Sequence, residues 1–120
     1  MKIASYVLKG LLTALFLFSA SGKLLANPQA QAGFDHFGIS AKLMLPIGLL
    51  EVISLLVFVV PTRLEMLGAI LLTAYMGGAV ITHLRMGEHP VMQMVIPALV
   101  WVAYFLKNPE VLKAAIGKKA

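Results

Sequence analysis

The chain has 120 residues, 60% of them hydrophobic and 12% charged, with a net charge of +5 and a mean hydropathy of +0.91. Soluble domains carry about 25% charged residues, so this chain lacks the polar surface that coats a water-soluble globule, and its length suits one small membrane domain over residues 1–120. Cysteine is absent, which excludes disulfides, iron–sulfur clusters and thiolate metal sites; the basic residues flank apolar stretches and form no stripe on a polar domain, so no nucleic-acid partner is expected.

Four apolar stretches follow one another: residues 3–26, 43–60, 64–84 and 91–106. Each is near the roughly 20 residues that a helix needs to span a bilayer. None shows the two-residue alternation of barrel strands. Backbone that water cannot reach must satisfy its own hydrogen bonds, and a helix does so within one segment. The expected fold is therefore all-α, an integral membrane four-helix bundle. "NPQAQAGFDHFGIS" reads as a polar loop between the first two spans, "PTRLE" as a tight turn, and "RMGEHP" as the last connection. Pro97 lies inside the fourth stretch and is expected to kink it. The tail "KNPEVLKAAIGKK" is polar enough to lie in water or on headgroups.

The first stretch has a rival reading. "MKIASYVLK" resembles the charged start of a signal peptide, and "SAS" before Gly22 a cleavage site. The apolar character resumes beyond it and ends only at Asn27, which favours a retained span. Basic residues set the orientation: Lys2, Lys9, Arg63, Lys107, Lys113, Lys118 and Lys119 fall on one side of four spans, and Lys23, Lys42 and Arg85 on the other. The excess puts both termini in the cytoplasm, and the expected location is a multi-pass protein of the bacterial inner membrane. Small residues recur every four positions at Ala69, Thr73 and Gly77, a face suited to close helix packing.

Glu51 is the one ionisable residue between Lys42 and Arg63. An acid near the bilayer midplane costs roughly 2.5–3.5 kcal/mol on insertion scales, and such residues usually face a bundle interior with a partner. The threading brings Ser19, Lys23, Tyr75 and His83 into the same outer half of the bundle. Lys23 is the best cationic partner for Glu51, since its long stem can reach inward. The alternative is a neutral, protonated Glu51 that donates its hydrogen to a neighbour. Trp101 and Tyr104 read as members of an aromatic belt. His36, His83 and His89 lack metal-ligand spacing, so no metal site is expected.

These residues carry a resemblance. "SASGKLL", "PIGLLEVISLL" and "AYMGGAVITHLRMGE", in that order, resemble the DoxX-like family of small four-helix membrane proteins. The resemblance implies a membrane subunit, in some relatives associated with quinone-linked oxidoreductases. It implies Lys23, Glu51, Thr82 and His83 as the corresponding polar residues. Tyr75 joins them from the helical stripe. The expected function is a quinone- or small-lipophile-binding subunit of a membrane oxidoreductase system, with the lipid bilayer and a soluble redox partner or a second copy as partners. A small proton-coupled transporter and a non-catalytic scaffold are the alternatives.

Overall fold

The structure, a computed structural model, describes residues 2–117. It is helical throughout its regular elements, with no strand among the described residues. Six α-helices are present among the described residues: α1 (Lys2–Leu24), α2 (Pro28–His36), α3 (Met44–Val59), α4 (Glu65–Arg85), α5 (Val91–Lys107) and α6 (Pro109–Ala115), with one 3-10 turn over Ala41–Leu43. The expected count of four helices is thus corrected to six. Three segments, Lys2–Leu24, Ala41–Val59 and Glu65–Arg85, are long and apolar enough to cross a membrane on their own; α5 reaches that standard only together with α6, from which it is bent by 113°.

The two additional helices arise where polar sequence hid a local signal. "NPQAQAGFDHF" reads as a loop by composition, yet it is well capped. Asn27 Oδ1 accepts from the Ala30 amide at 2.8 Å, and Pro28 opens the first turn, an arrangement that satisfies an otherwise orphan donor. Asn27 also closes the preceding helix. Its amide donates to Gly22 O at 3.0 Å and the Ala26 amide to Lys23 O at 3.2 Å, with Ala26 at a φ of 51°. This is the hydrogen-bond pattern of a Schellman motif with alanine in the left-handed position usually given to glycine. One asparagine therefore turns the chain sharply from α1 into α2. The tail behaves similarly: Pro109 follows Asn108 and starts α6 at once. Inside α5, Pro97 does not interrupt the helix.

The four long helices form a closed ring in which α1 and α4 each pack against both α3 and α5. The core runs down its centre: Leu12 and Phe16 from α1, Leu55 and Phe58 from α3, Ala69, Leu72 and Met76 from α4, and Val100, Ala103 and Tyr104 from α5. The outside is equally apolar, with Ile3, Phe18, Leu25 and Ile81 each more than two-thirds exposed. A surface of that kind is matched to lipid, not water. In lipid the apolar effect no longer drives helices together, and close packing and polar links do.

The tightest packing lies between α3 and α4. A Cβ on Gly68 would stand 2.2 Å from Phe58 N, inside the backbone of the neighbouring helix. The small-residue face through Ala69, Thr73 and Gly77 serves only in part. Ala69 is fully buried, and Thr73 Oγ1 accepts a hydrogen bond from Trp101 Nε1 at 2.8 Å, tying α4 to α5. Gly77 has open space where a Cβ would stand. Gly68, not Gly77, is the glycine that close approach requires. Trp101 likewise works as an interhelical link through its indole N–H.

Candidate binding site

Polar side chains gather at the two ends of the ring. At the end roofed by α2, Glu51 is 1% exposed. Its Oε1 accepts from Lys23 Nζ at 3.0 Å, Tyr75 Oη at 3.1 Å and, more weakly, Ser19 Oγ at 3.4 Å. Lys23 in turn donates to Ser19 Oγ at 2.7 Å and approaches Ser19 O at 3.4 Å. Three helices contribute, and each does so for a local reason. Ser19 and Lys23 lie one turn apart on α1 and share a face. Glu51 sits on the α3 face that also presents Gly48, Leu55 and Phe58 to the interior. Gly48 lets α1 come close, with Lys23 Cβ 3.1 Å from where its own Cβ would be. Tyr75 reaches in from α4, and its ring lies 5.9 Å from the Lys23 ammonium, close enough for a cation–π contribution. Three donors converging on one oxygen, one of them an ammonium, suit a carboxylate. The charge is thus paired and hydrogen-bonded, the condition under which a buried ion is tolerated.

Beside this cluster is a cavity of about 760 Å³. Its walls are mostly apolar, from Phe16, Ile47, Met76 and Ile96 among others; Ser19, Lys23, Glu51, Tyr75, Thr82 and His83 are among its polar points, with Gln93 and Asn27 beside them. All the residues predicted for the site therefore line one space. Thr82 Oγ1 donates to Gly78 O at 2.7 Å, and His83 Nδ1 bonds to Ala79 O at 2.8 Å. Leu50 of α3 and Ala74 and Gly78 of α4 line the cavity and are also exposed on the outside. Leu15 and Phe18 of α1 also line it and are exposed, so the cavity is open to the outside rather than sealed.

The α2 segment roofs the cavity with Gly33, Phe34 and Phe37. It is fastened to the far side of the ring. The Arg85 guanidinium donates to Phe37 O, His36 Nε2 lies 2.9 Å from Glu88 Oε2, and the Phe37 and His83 rings are 4.6 Å apart. His36 falls in the stretch that reads as a polar loop, and Arg85 among the basic residues at the ends of the spans. Their role as clasps was hidden because α2 was read as a loop.

The opposite end holds a second buried cluster that the sequence did not announce. Lys9 pairs with Glu65 Oε1, and Lys107 Nζ approaches Glu65 Oε2 at 3.3 Å. The side chains of Lys9 and Glu65 are only 9% and 8% exposed. Ser5 Oγ donates to Ala103 O at 2.6 Å nearby. Lys9 and Lys107 had been counted as simple flanks of apolar spans. Spacing could have revealed Lys9: it stands in register with Ser5, Leu12, Phe16 and Ala20 on the buried face of α1.

No group of His, Cys, Asp or Glu able to hold a metal ion occurs among the described residues.

A family model described as the DoxX-like family matches residues 7–106. No curated protein and no solved structure matches the chain significantly. The matched span takes in Lys23, Glu51, Tyr75, Thr82 and His83. The chain belongs to the DoxX-like family, and with several helices apolar enough to cross a bilayer it is a multi-pass membrane protein.

Proposed function

We propose that this DoxX-like chain is a four-span protein of the bacterial inner membrane, with both termini in the cytoplasm, that binds a quinone or a similar small lipophile as a subunit of an oxidoreductase system. The observation that carries the reading is the cavity of about 760 Å³ placed directly against the Lys23–Glu51–Tyr75 cluster. Small-molecule sites are clefts of about 300–1,000 Å³, largely apolar with a few placed polar groups. The residues present fit such a ligand: apolar walls suit a ring and tail, and the polar cluster suits a ring oxygen. The open side of the cavity gives a molecule dissolved in lipid a way in.

A bound quinone would supply the electron-carrying chemistry that this chain's own side chains lack. The chain's residues would hold and orient the ring and keep bulk water away from it, with α2 as the cover. Electrons would come from a soluble partner or a second copy. A purely structural scaffold would explain the Lys23–Glu51 pair but has no use for the space beside it. The orientation rests on the basic residues of the α3–α4 turn, the α5–α6 region and the N-terminal end.

The test is extraction of lipids from the purified full-length protein, followed by mass spectrometry. A quinone or related lipophile should accompany the wild type in stoichiometric amount and be depleted in Gly78→Leu. A Cβ at Gly78 meets nothing within 4 Å, and the rest of the leucine would extend over the cavity wall that Gly78 forms; the thermal midpoint of the variant checks that the fold is kept. Phospholipid alone in both samples would overturn the reading.

A further inference from the structure

The polar atoms around the cavity can be sorted by what they still have to offer. Lys23 Nζ has three hydrogens and three acceptors within reach: Ser19 Oγ, Ser19 O and Glu51 Oε1. An ammonium donates three hydrogen bonds and accepts none, so Lys23 is fully used. Tyr75 has given its hydrogen to Glu51, and Thr82 has given its own to Gly78 O. Each hydroxyl is left with acceptor capacity only, whereas Gln93, which also lines the cavity, keeps its amide hydrogens, so the selection rests on the carboxylate. His83 Nδ1 faces the carbonyl of Ala79, so that nitrogen carries the hydrogen, and Nε2 of the neutral ring is an acceptor.

Glu51 completes the pattern. Its three donors all converge on Oε1, and no donor among the described residues reaches Oε2. No side-chain nitrogen or oxygen sealed from accessible space lacks a partner among the described residues. Oε2 is therefore unpartnered but not sealed, although Glu51 as a whole is 1% exposed. The accessible space beside it is the cavity that Glu51 lines. A carboxylate oxygen without a donor in an apolar surrounding is costly, and the cost is removed when a ligand brings one.

We infer that the cavity selects a ligand by its hydroxyl hydrogens: it takes the aromatic diol, or quinol, form of a lipid-soluble quinone in preference to the quinone, with a ligand O–H donating to Glu51 Oε2. A quinone ring presents acceptors only, so it leaves Glu51 Oε2 without a donor whichever way it lies. A quinol carries two O–H groups at opposite ends of the ring and can satisfy Glu51 with one while the other meets a further acceptor. The inference rests on the proposed lipophile site and adds the chemical state of its occupant.

The test compares three probes of nearly the same shape on the full-length wild-type protein in lipid nanodiscs under anaerobic conditions: decylubiquinone, decylubiquinol and the dimethyl ether of decylubiquinol. Binding is read by isothermal titration calorimetry. Decylubiquinol should bind about tenfold or more tightly than either other probe, the effect of one hydrogen bond to a charged acceptor. Equal or tighter binding of decylubiquinone overturns the inference and leaves the lipophile site standing. Failure of all three to bind overturns the site itself. In Glu51→Gln an amide N–H₂ can take the place of Oε2, and the preference for the diol should shrink or invert. A folded Glu51→Gln protein with an unchanged preference would show that Oε2 is not the selecting atom. The wild-type comparison decides the matter even if this variant does not fold.

Discussion

Lys9 and Glu65 form a buried ion pair at the end of the ring opposite Lys23 and Glu51. Both lysines come from α1, and at 1.5 Å per residue they stand about 21 Å apart along it. The two clusters differ in what surrounds them. At the Lys9 end, Lys107 adds a second cation, Ser5 bonds to the α5 backbone, and Phe58 packs 5.1 Å from the Lys9 ammonium. At the Lys23 end an open cavity lies beside the pair. One end is fastened, and the other keeps room.

The fastening at the first end should be measurable. Losing one partner of a buried pair strands the other charge, at a typical cost of about 3–5 kcal/mol. Lys9→Met should lower the thermal midpoint in detergent more than Lys9→Met combined with Glu65→Gln. Lys107 is 20% exposed on its side chain, and Lys107→Met should cost less than Lys9→Met. Equal losses for the single and double Lys9 variants would mean that the two residues act independently.

Helix packing gives a second contrast, between two glycines of α4. Gly68→Ala places a methyl group against Phe58 N and Cα, at 2.2 and 2.3 Å. Backbone atoms cannot swing aside as a side-chain tip can, so the two helices must separate. Overpacking of this kind costs about 1–3 kcal/mol or more. Gly77→Ala meets nothing within 4 Å and should leave the thermal midpoint unchanged or slightly raised, since alanine favours helix. The comparison is made on the two purified variants side by side; a harmless Gly68→Ala would contradict the close α3–α4 contact.

How far the sequence reveals these features depends on the kind of signal involved. Glu51 stands out because an acid deep in an apolar stretch needs a partner whether its role is structural or functional, and Lys23 and Tyr75 follow from threading the spans. Family membership followed from ordered motifs spread along the chain. Lys9 and Glu65 were overlooked because a charge near the end of an apolar stretch has a ready explanation as a flank. Only their register with buried neighbours separates them from a snorkelling residue. α2 was overlooked because polar composition resembles a loop, while its caps depend on single side chains at Asn27 and Pro28. Threading the spans allows a lumen lined by Ser19, Lys23, Glu51, Tyr75 and His83, but nothing in the sequence gives that space its volume.

The candidate site supplies a third expectation. Lys23→Met strands Glu51, which is 1% exposed, so the single variant should be less stable than Lys23→Met combined with Glu51→Gln. Tyr75→Phe removes one of three donors to Oε1 and should cost less, about 1–2 kcal/mol, because Lys23 and Ser19 still serve that oxygen. Thermal midpoints of the four proteins, measured in one detergent, check the ranking. A Lys23→Met variant as stable as its double mutant would remove Lys23 as the counter-charge.

The last expectation uses the single tryptophan of the chain as its own reporter. Trp101 Nε1 donates to Thr73 Oγ1 at 2.8 Å, and Thr73 passes its hydrogen to Ala69 O at 2.7 Å. Thr73→Val keeps nearly the same shape but removes the acceptor. The indole N–H is then left without its partner in an apolar seam, at a cost of about 1–3 kcal/mol. Indole emission responds to polarity and hydrogen bonding around the ring, so the fluorescence maximum should move to shorter wavelength. Thr73→Ser keeps the hydroxyl and should hold the wild-type maximum. An unmoved maximum in Thr73→Val would place the indole N–H on another acceptor and dissolve the proposed tie between α4 and α5. A shift that Ser rescues and Val does not would assign the tie to this one hydroxyl.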